Sequence, residues 1–328
     1  MIHNAHITKE LSMSILSQKH FHDEEAAYEY VEGHIWPNGP ICPKCGESKR
    51  VGKLNGKSTR IGVHKCYSCR KPFTVKVGTI FESSHVKMHL WMQAIYLMSS
   101  SKKGFSANQL HRTLGVTIKT AWFMSHRIRE AMRDGDFGPM GGNGEIVEAD
   151  ETYYGKKEGK QELPASRRGR PYIKGGLGPA KKRAIVSLVE RGGSVRSFHV
   201  KQANKENVTA IVRDNIKSES VLHTDESQLY KTVGKEMMAH QTTKHSAGEY
   251  VRGGVHSNTV ENYFSCFKRG MKGTYQHCRE KHLHRYLAEF DFRYNNRSGL
   301  GVDDSERASN ALMGIVGKRL TYQTASRG

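Results

Sequence analysis

The amino-acid sequence predicts an α/β protein: a mixed sheet with flanking helices, preceded by a small zinc ribbon and a helical, helix-turn-helix-like region. Three observations lead to this fold class. Two Cys-x-x-Cys pairs lie in the first quarter of the chain, amphipathic helical patterns fill residues 86 to 132, and strand-like and helical segments follow one another from residue 145 onward.

The composition indicates a protein that binds a polyanion. The 328 residues are enough for two or three domains. The 52 Lys and Arg outnumber the 32 Asp and Glu, a net charge of +20, which makes nucleic acid the expected partner and an anionic membrane surface the weaker alternative. The apolar stretch between Lys87 and Lys102 is too short to cross a bilayer. Because a secretory signal is also absent, we expect a cytoplasmic, nucleoid-associated protein with reduced cysteines and no membrane partner.

The first predicted element, residues 1 to 82, combines a helix with a zinc ribbon. Each Cys-x-x-Cys pair can place two thiolates on one face of a tetrahedral Zn²⁺, and the alternating segment between the pairs predicts a hairpin that brings them together. A redox pair is the alternative, but no thioredoxin-like pattern accompanies these cysteines. Residues 21 to 32 predict a helix that packs on the ribbon. The predicted zinc ligands are Cys42, Cys45, Cys66 and Cys69.

The second element, residues 83 to 137, is predicted to be a helix-turn-helix-like DNA-binding region. Leu110 and Leu114 lie on one face of a helix, Gly115 supplies the turn, and Thr117 caps a second helix with apolar residues at helical spacing. This arrangement is typical of a DNA reader, although any two packed helices can look similar. The predicted DNA contacts on the second helix are Lys119, Thr120, His126 and Arg127.

The third element, residues 138 to 300, is the predicted sheet domain, and residues 301 to 328 are a predicted C-terminal tail. Strand and helix patterns in this order are typical of helices packed on a mixed sheet. The predicted strands cover residues 145 to 150, 184 to 190, 195 to 200 and 220 to 225, with a hairpin turn at 191 to 194 and helices at about 204 to 217 and from 257 onward.

A basic loop interrupts this domain between residues 156 and 183. It contains ten Lys or Arg against two Glu and has no apolar periodicity, so we expect it to become ordered against a partner. A solvated linker is the alternative. Clustered arginines are typical of arms that grip a phosphate backbone, and the predicted contacts are Arg167, Arg168 and Arg170.

Two aspartates are candidates for chemistry. Asp150 and Asp225 each end a predicted strand, and carboxylates at the carboxyl ends of neighbouring strands point into one crevice. Their mutual repulsion costs energy unless a divalent cation lies between them, and two Mg²⁺ ions about 4 Å apart can support phosphoryl transfer. Taken singly, each aspartate is better explained as a turn or cap residue.

A third candidate group lies on a helix that Ser257 or Asn258 can cap. Glu261 and Lys268 are seven residues apart, about two turns along one face, so a metal-binding carboxylate and a phosphate-binding lysine can share that face. An ordinary solvated helix face is the alternative interpretation.

Together these segments resemble the DDE transposases of bacterial insertion sequences, most closely the ISXO-type group with an N-terminal zinc ribbon. The resemblance runs from about Phe21 to Arg297 and rests on VEADETYYGKK, LHTDES, HSNTVENYFSCFKRGMKGTYQH and HLHRYLAEFDFRYNNR, in that order. It implies a ribonuclease H-like catalytic domain with Asp150 and Asp225 as the two aspartates. In this group the third position is sometimes described as Asn. Asn258 and Glu261 therefore both stay open, with Glu261 preferred because a hard cation favours a charged oxygen.

The resemblance implies a transposase that binds the terminal inverted repeats of its element, cuts the 3′ ends and joins them to target DNA. The implied cofactors are structural Zn²⁺ and catalytic Mg²⁺ or Mn²⁺, and a homo-oligomer is expected on the DNA. Asp150, Asp225 and Glu261 are expected to hold the catalytic metal, and Lys268 to contact a phosphate. Two rival interpretations stay open: a ribonuclease H-like nuclease without strand transfer, and a zinc-ribbon DNA-binding regulator.

Overall fold

The computed structural model describes residues 14–133, 138–158, 181–243 and 255–320. This part of the chain contains a small three-stranded sheet, a helical core and a five-stranded sheet with helices on both faces, which is the predicted architecture. The helices are α1 (Glu24–Ile35), α2 (Met88–Ser100), α3 (Ala107–Leu114), α4 (Ile118–Ala131), α5 (Lys205–Asn215), α6 (Asn258–Gly270), α7 (Leu283–Asn295) and α8 (Asp304–Met313). The strands are β1 (Val51–Lys53), β2 (His64–Cys66), β3 (Pro72–Phe73), β4 (Ile146–Lys156), β5 (Lys182–Glu190), β6 (Val195–Val200), β7 (Val221–Thr224) and β8 (Ala239–Thr242).

The small sheet and α1 form one packed unit. Strands β1, β2 and β3 pair antiparallel, and the Asp23 side chain caps α1 by accepting from the Ala26 N–H at 2.8 Å. Tyr28 of α1 lies against Gly62 so closely that a Cβ at residue 62 would come within 2.2 Å of the tyrosine ring. Gly62 also has a φ of +70°, which favours glycine. These contacts confirm that the predicted helix packs on the ribbon.

Helices α2, α3 and α4 share one hydrophobic core with α1 and α8. Ser106 and Gln109 form a capping box at the start of α3, and Gly115 follows that helix in the left-handed conformation with φ of 66°. The predicted helix, turn and helix are therefore present. In the described part of the chain, no helix has both the length and the apolar character that crossing a membrane requires.

The predicted C-terminal tail begins with a packed helix. Residues 301 to 328 include α8, whose Ala311 and Leu312 are buried in the helical core. The prediction missed α8 because most residues of this helix are polar or small. Asp303 caps it by accepting from the Glu306 N–H at 2.8 Å.

The five strands of the large sheet lie in the order β6-β5-β4-β7-β8. Strands β4, β5 and β6 pair antiparallel, β7 pairs parallel with β4, and β8 pairs parallel with β7. This is the ribonuclease H-like sheet that the resemblance implies. The sequence prediction missed β8, because its four residues, Ala-His-Gln-Thr, carry no alternating apolar pattern.

Helices cover both faces of the large sheet. Ile185 and Val189 of β5 pack with α6 and α7, whereas Val186 and Leu188 of the same strand pack with α5 on the opposite face. An ion pair then joins α7 to the helical core, because Arg129 Nε of α4 donates to Glu289 Oε2 at 2.7 Å and both side chains are buried. The predicted helical and sheet regions thus pack directly against each other.

Candidate functional site

Three carboxylates converge at the edge of the large sheet where β7 ends. Asp150, Glu151 and Asp225 place carboxylate oxygens within 4.8 Å of one another. The parallel register aligns Glu148 of β4 with His223 of β7, so Asp150 comes level with Asp225 two residues further along. The structure therefore brings the two predicted aspartates together.

The position of Asp150 within its strand differs from the prediction. Asp150 does not end β4, because β5 continues the pairing as far as Lys156. On the other side, β7 ends at Thr224, which leaves this part of β4 with an open edge. The open edge, rather than the end of β4, is what places Asp150 in a crevice.

Glu151 joins the site from the other face of β4 and was not predicted. Its Oε1 lies 3.5 Å from Ser227 Oγ, and its buried Oε2 has no hydrogen-bond partner among the described residues. The acidic pair in the VEADE segment was the available signal. The strand pattern did not indicate a role for Glu151, because consecutive side chains on a strand point to opposite faces. Asp150 and Glu151 can both reach Asp225 only because this edge of β4 is open.

The carboxylates repel one another. Burial, followed by the negative charges of Asp225 and Glu151, raises the pKa of Asp150 to about 8. Burial and Asp225 also raise the pKa of Glu151. Among the described residues, each aspartate carboxylate accepts hydrogen bonds only at Oδ1: Asp150 accepts from the Glu151 N–H, and Asp225 accepts from the Ser227 N–H. These oxygen donors, close together and poorly neutralised, fit a hard divalent cation.

Glu261 and Asn258 have different surroundings. The charge of Glu261 makes a minor contribution to the raised pKa of Asp150, although Glu261 is not one of the three carboxylates that lie within 4.8 Å of one another. Ser257 Oγ donates to Glu261 Oε1 at 3.2 Å. Asn258 is exposed at the first residue of α6. These surroundings favour Glu261 over Asn258, and Glu151 becomes a further candidate for the third carboxylate.

A buried carboxylate from β4 caps α6. Glu148 Oε2 accepts from the N–H groups of Thr259 at 2.9 Å and Val260 at 3.1 Å. Glu148 Oε1 accepts from the Thr259 hydroxyl at 2.8 Å and from Arg191 Nη2 at 2.9 Å. Ser257 occupies the cap position, but its side chain makes no capping hydrogen bond, so Glu148 takes the capping role that the sequence assigned to Ser257 or Asn258.

This cap connects two parts of the acidic site. Glu148 precedes Asp150 by two residues, so both side chains lie on the face of β4 that packs on α6. Val260, which donates to Glu148, is next to Glu261 in the chain. The Glu148 contact therefore sets the position of Glu261 relative to Asp150.

Lys268 lies near the end of α6 and is exposed. Its ammonium lies 6.0 Å from the centroid of the Phe264 ring, so the side chain runs back along the helix from residue 268 towards residue 264. Glu261 is one further turn along the same face. The predicted alignment of a carboxylate and a lysine along α6 is therefore present.

The four predicted zinc ligands form a cluster of tetrahedral size. The sulfurs of Cys42 and Cys69 are 3.7 Å apart and those of Cys45 and Cys66 are 3.6 Å apart, and all four lie within 4.8 Å of one another. A tetrahedron with Zn–S bonds of about 2.3 Å has edges of about 3.8 Å, so this spacing fits Zn²⁺.

Two of the predicted DNA contacts on α4 are buried. His126 is 0% exposed and Arg127 is 4% exposed. Burial, with help from Arg129, lowers the pKa of His126 to about 2 and keeps it neutral, and Arg127 Nη1 donates to the Ile80 carbonyl at 2.6 Å. The prediction was wrong for both residues because α4 is enclosed on several sides, which helical periodicity along one helix does not reveal.

The remaining predicted DNA contacts lie at the start of α4 and in the basic loop. Lys119 is exposed and Thr120 is half-buried. The loop residues Arg167, Arg168 and Arg170 lie outside the described residues. The two ends of the loop are adjacent, because the Lys157 N–H donates to the Lys181 carbonyl at 2.8 Å and extends the β4–β5 pairing.

Two family models match the chain. The ISXO2-like transposase domain matches residues 142–295, and the transposase zinc-ribbon domain matches residues 22–72. A relative from Halobacterium salinarum, described as an uncharacterized protein in transposable element ISH50, is 26% identical over 282 residues. The match covers 84% of this chain and 92% of the relative.

A comparison with solved structures matches parts of the chain to complexes of Mos1. The Mos1 strand transfer complex is 11% identical and is matched over 64% of this chain and 76% of that chain. The Mos1 mariner paired end complex with Mn is 12% identical and is matched over 60% and 73%. Each has a TM-score of 0.20. The identification of a transposase domain therefore rests on the family models and on the sheet order instead.

The two matched regions coincide with the two parts of the chain that hold clustered ligands. The zinc-ribbon match contains all four clustered cysteines, and the transposase-domain match contains Asp150, Glu151, Asp225 and Glu261. The sheet order agrees with the ribonuclease H-like fold. Residues 142–295 are therefore an ISXO2-like transposase domain, and residues 22–72 are a transposase zinc-ribbon domain.

Proposed function

We propose that this transposase cleaves and joins DNA by the metal-dependent DDE reaction, with Asp150, Asp225 and Glu261 as its acidic residues. The observation that carries the proposal is the convergence of three partly buried carboxylates, those of Asp150, Glu151 and Asp225, at the open edge of β4. A chain that had become only a DNA-binding regulator would have no need to keep such a costly group of charges together. Glu151 adds a carboxylate that can share the same ligand or orient it.

The proposed roles follow from the surroundings of each side chain. Asp150 and Asp225 repel each other across the crevice, so a cation between them is strongly favoured. Mg²⁺ or Mn²⁺ held there would activate an attacking oxygen and stabilise the leaving one. Glu148 holds the start of α6, which keeps Glu261 at the crevice. Lys268 contacts a backbone phosphate and aligns the strand along the same helix face.

Zinc and the basic regions are proposed to serve DNA binding. The cluster of four cysteines holds structural Zn²⁺, which folds a unit too small to have a large core of its own. Lys119 and Thr120 at the start of α4 contact the terminal inverted repeats. The loop that contains Arg167, Arg168 and Arg170 grips the phosphate backbone, and the active assembly is a homo-oligomer on DNA.

The decisive experiment replaces Asp150 and Asp225 separately with Asn. Both variants are assayed with Mg²⁺ and with Mn²⁺ on a duplex that carries the element end, next to an unrelated target duplex. We expect both variants to lose cleavage and strand transfer while they still bind DNA. The matched control is Asp214→Asn, at an exposed position on α5, which should keep both reactions.

Two results would change this assignment. Normal reaction in Asp150→Asn or Asp225→Asn would exclude the carboxylate cluster as the catalytic site. Cleavage without any joined product in the unmodified protein would favour a ribonuclease H-like nuclease over a transposase reaction.

A further inference from the structure

A second charged cavity lies away from the carboxylate site, between the C-terminal end of α2 and helices α6, α7 and α8. Its volume is about 450 Å³. Its lining includes the cationic residues Lys102, Arg269, Arg293, Arg297 and Arg307. Asp304 is the one acidic residue among the described residues that line it, and Asp304 already pairs with Arg307. The cavity therefore has a surplus of positive charge.

The surplus extends into the protein interior. Arg293 and Arg129 both pair with Glu289, and all three side chains are at least nine-tenths buried. Tyr275 also donates to Glu289, and burial together with Glu289 raises the pKa of Tyr275 to about 12, which keeps the tyrosine neutral. Two guanidinium groups thus share a single carboxylate, and a buried charge without a partner is costly.

Arg293 is the member of this group that lines the cavity. Its Nη1 donates to Glu289, whereas its Nε and Nη2 are buried and have no hydrogen-bond partner among the described residues. A guanidinium presents its donors in a planar fork that matches the oxygens of a phosphate or a carboxylate. An oxyanion in the cavity would accept from the unsatisfied Arg293 donors and would neutralise the surplus positive charge.

We propose that this cavity is an anion site that binds a phosphate group, with Arg293 at its base and Lys102 and Arg269 at its exposed rim. A phosphate there supplies the negative charge that Glu289 cannot supply to two guanidinium groups. The site is separate from the carboxylates, since none of Asp150, Glu151, Asp225 and Glu261 is among the residues that line the cavity.

The phosphate can belong to the DNA backbone or to a free phosphate compound. DNA is favoured by the neighbouring surface: Lys102, Lys103 and Arg269 also line an adjoining cavity of about 260 Å³, and a DNA strand presents phosphates in series. The DNA source rests on the proposed function, because Lys268 at the end of the same helix is proposed to contact the strand. The anion site itself does not depend on that function.

The first measurement is DNA affinity as a function of salt concentration. We compare the full-length protein with the double variant Lys102→Ala/Arg269→Ala, using any duplex oligonucleotide. Removal of one or two phosphate contacts should lower the slope of log affinity against log salt by about 0.9 for each contact. The matched control, Lys205→Ala/Lys235→Ala, removes the same charge from exposed positions on the α5 side of the sheet and should leave the slope unchanged.

The second measurement is the thermal midpoint of unfolding in inorganic phosphate and in chloride at equal ionic strength. Phosphate should raise the midpoint of the unmodified protein and of the control variant, and should raise it less in Lys102→Ala/Arg269→Ala. In Arg293→Met, the remaining Arg129–Glu289 pair is balanced, so the midpoint in chloride should stay close to that of the unmodified protein while the effect of phosphate disappears.

The two measurements distinguish DNA from a free phosphate compound as the source of the bound phosphate. A changed DNA slope supports the site with DNA as the source, and a changed phosphate effect with an unchanged slope supports it with a free phosphate compound as the source. If neither quantity changes, or if the control pair changes them equally, the proposal is wrong. A fall of more than about 10 °C for Arg293→Met in chloride would contradict the surplus-charge argument. A protein that binds no DNA would refute the proposed function, while the phosphate measurement would still decide the anion site.

Discussion

At the scale of single residues, burial decides which charged side chains can act on DNA. Asp150 and Glu151 are held in a partly buried crevice where their charges are destabilised, which is a strong reason for them to bind a cation. His126 and Arg127 have residue types that suit DNA binding, yet both are enclosed by the protein. Residue type alone therefore identified Asp150 but missed Glu151, and it did not reveal that His126 and Arg127 are buried.

The third acidic residue can be tested directly. We expect Glu261→Gln to lower cleavage and strand transfer by about 100-fold or more, because it removes a fixed charge from the site, while DNA binding is preserved. Asn258→Ala should keep most activity, since Glu148 rather than Asn258 caps α6. Glu151→Gln in the same assay shows whether the unpredicted carboxylate is also required. Full activity in Glu261→Gln together with none in a folded Asn258→Ala would reverse the assignment.

Asp291 supplies a pH test of the sheet domain. Its carboxyl accepts from the Ser197 N–H at 2.9 Å and from the Tyr263 hydroxyl at 2.5 Å, but burial dominates and raises its pKa to about 7. The folded protein therefore holds a proton there that the unfolded chain releases near pH 4. This contribution to stability is present in full below about pH 4 and is lost as the pH rises to about 7.

Denaturant unfolding of the unmodified protein and of Asp291→Asn checks this expectation. Between pH 4.5 and pH 7 the unfolding free energy of the unmodified protein should fall by about 2 kcal/mol more than that of the variant, a value below the full linkage because solvent reaches part of the residue. Parallel curves for the two proteins would show that Asp291 is ionised throughout this range.

At the scale of secondary-structure elements, contacts between elements complete what each element lacks. The first N–H groups of α6 find their acceptor on β4, two residues from the candidate catalytic aspartate. The ribbon strands have two or three residues each and depend on their four cysteines and on α1. Neither element would be stable in isolation.

Removal of the Glu148 cap tests the link between β4 and α6. Glu148→Ala removes the acceptor of two N–H groups and the carboxylate that pairs with Arg191, and we expect a loss of about 3 kcal/mol in unfolding free energy. Glu148→Gln should recover part of this stability because its amide oxygen can still accept. Glu145→Ala, exposed just before the same strand, is the control and should change stability by less than about 0.5 kcal/mol. An equally stable Glu148→Ala would show that α6 does not need this cap.

The zinc ribbon gives a prediction about metal removal. Purified protein should contain one Zn²⁺ per chain, and Cys42→Ser should lose it and expose residues 22 to 72 to proteolysis, because metal binding supplies most of the folding free energy of this unit. Cys266→Ser, which changes a thiol outside the cluster, should keep both the zinc and the resistance to proteolysis. Unmodified protein without zinc by elemental analysis would refute the prediction.

At the scale of the whole molecule, the chain combines a net charge of +20 with a cluster of three carboxylates. A high net positive charge favours association with DNA, whereas clustered carboxylates repel a phosphate unless cations neutralise them. The buried pair between Arg129 and Glu289 joins the helical core to the sheet domain, so the helical core and the acidic crevice keep a defined relative position.

The basic loop is predicted to add affinity without sequence preference. Replacing Arg167, Arg168 and Arg170 with Ala should weaken binding to all duplexes alike and lower the salt slope by about 0.9 for each phosphate contact that the substitutions remove. A triple variant of exposed lysines, Lys201→Ala/Lys205→Ala/Lys235→Ala, controls for the change in net charge. A shift in the preferred sequence with an unchanged slope would make the loop a reader of base sequence instead.

The linear sequence was sufficient to predict the features that depend on local patterns. Cysteine spacing predicted the ribbon, the capping and glycine signals predicted α3 and α4, and alternation predicted four of the five strands in the large sheet. These features follow from interactions between residues close together in the chain, which a linear pattern records directly. The pairing of Asp150 with Asp225 could also be predicted, because both lie in recognisable strand segments.

Other features depend on where distant elements stop or pack, and these required the folded chain. Glu151 reaches the acidic site because β7 ends beside it. His126 and Arg127 are buried because α4 is enclosed by other elements. Helix α8 is held by packing against a core that other helices supply. Glu148 acquires its role from a helix more than 100 residues away. Burial and electrostatic environment arise from these distant contacts, and they decide which of the polar residues in the sequence can take part in function.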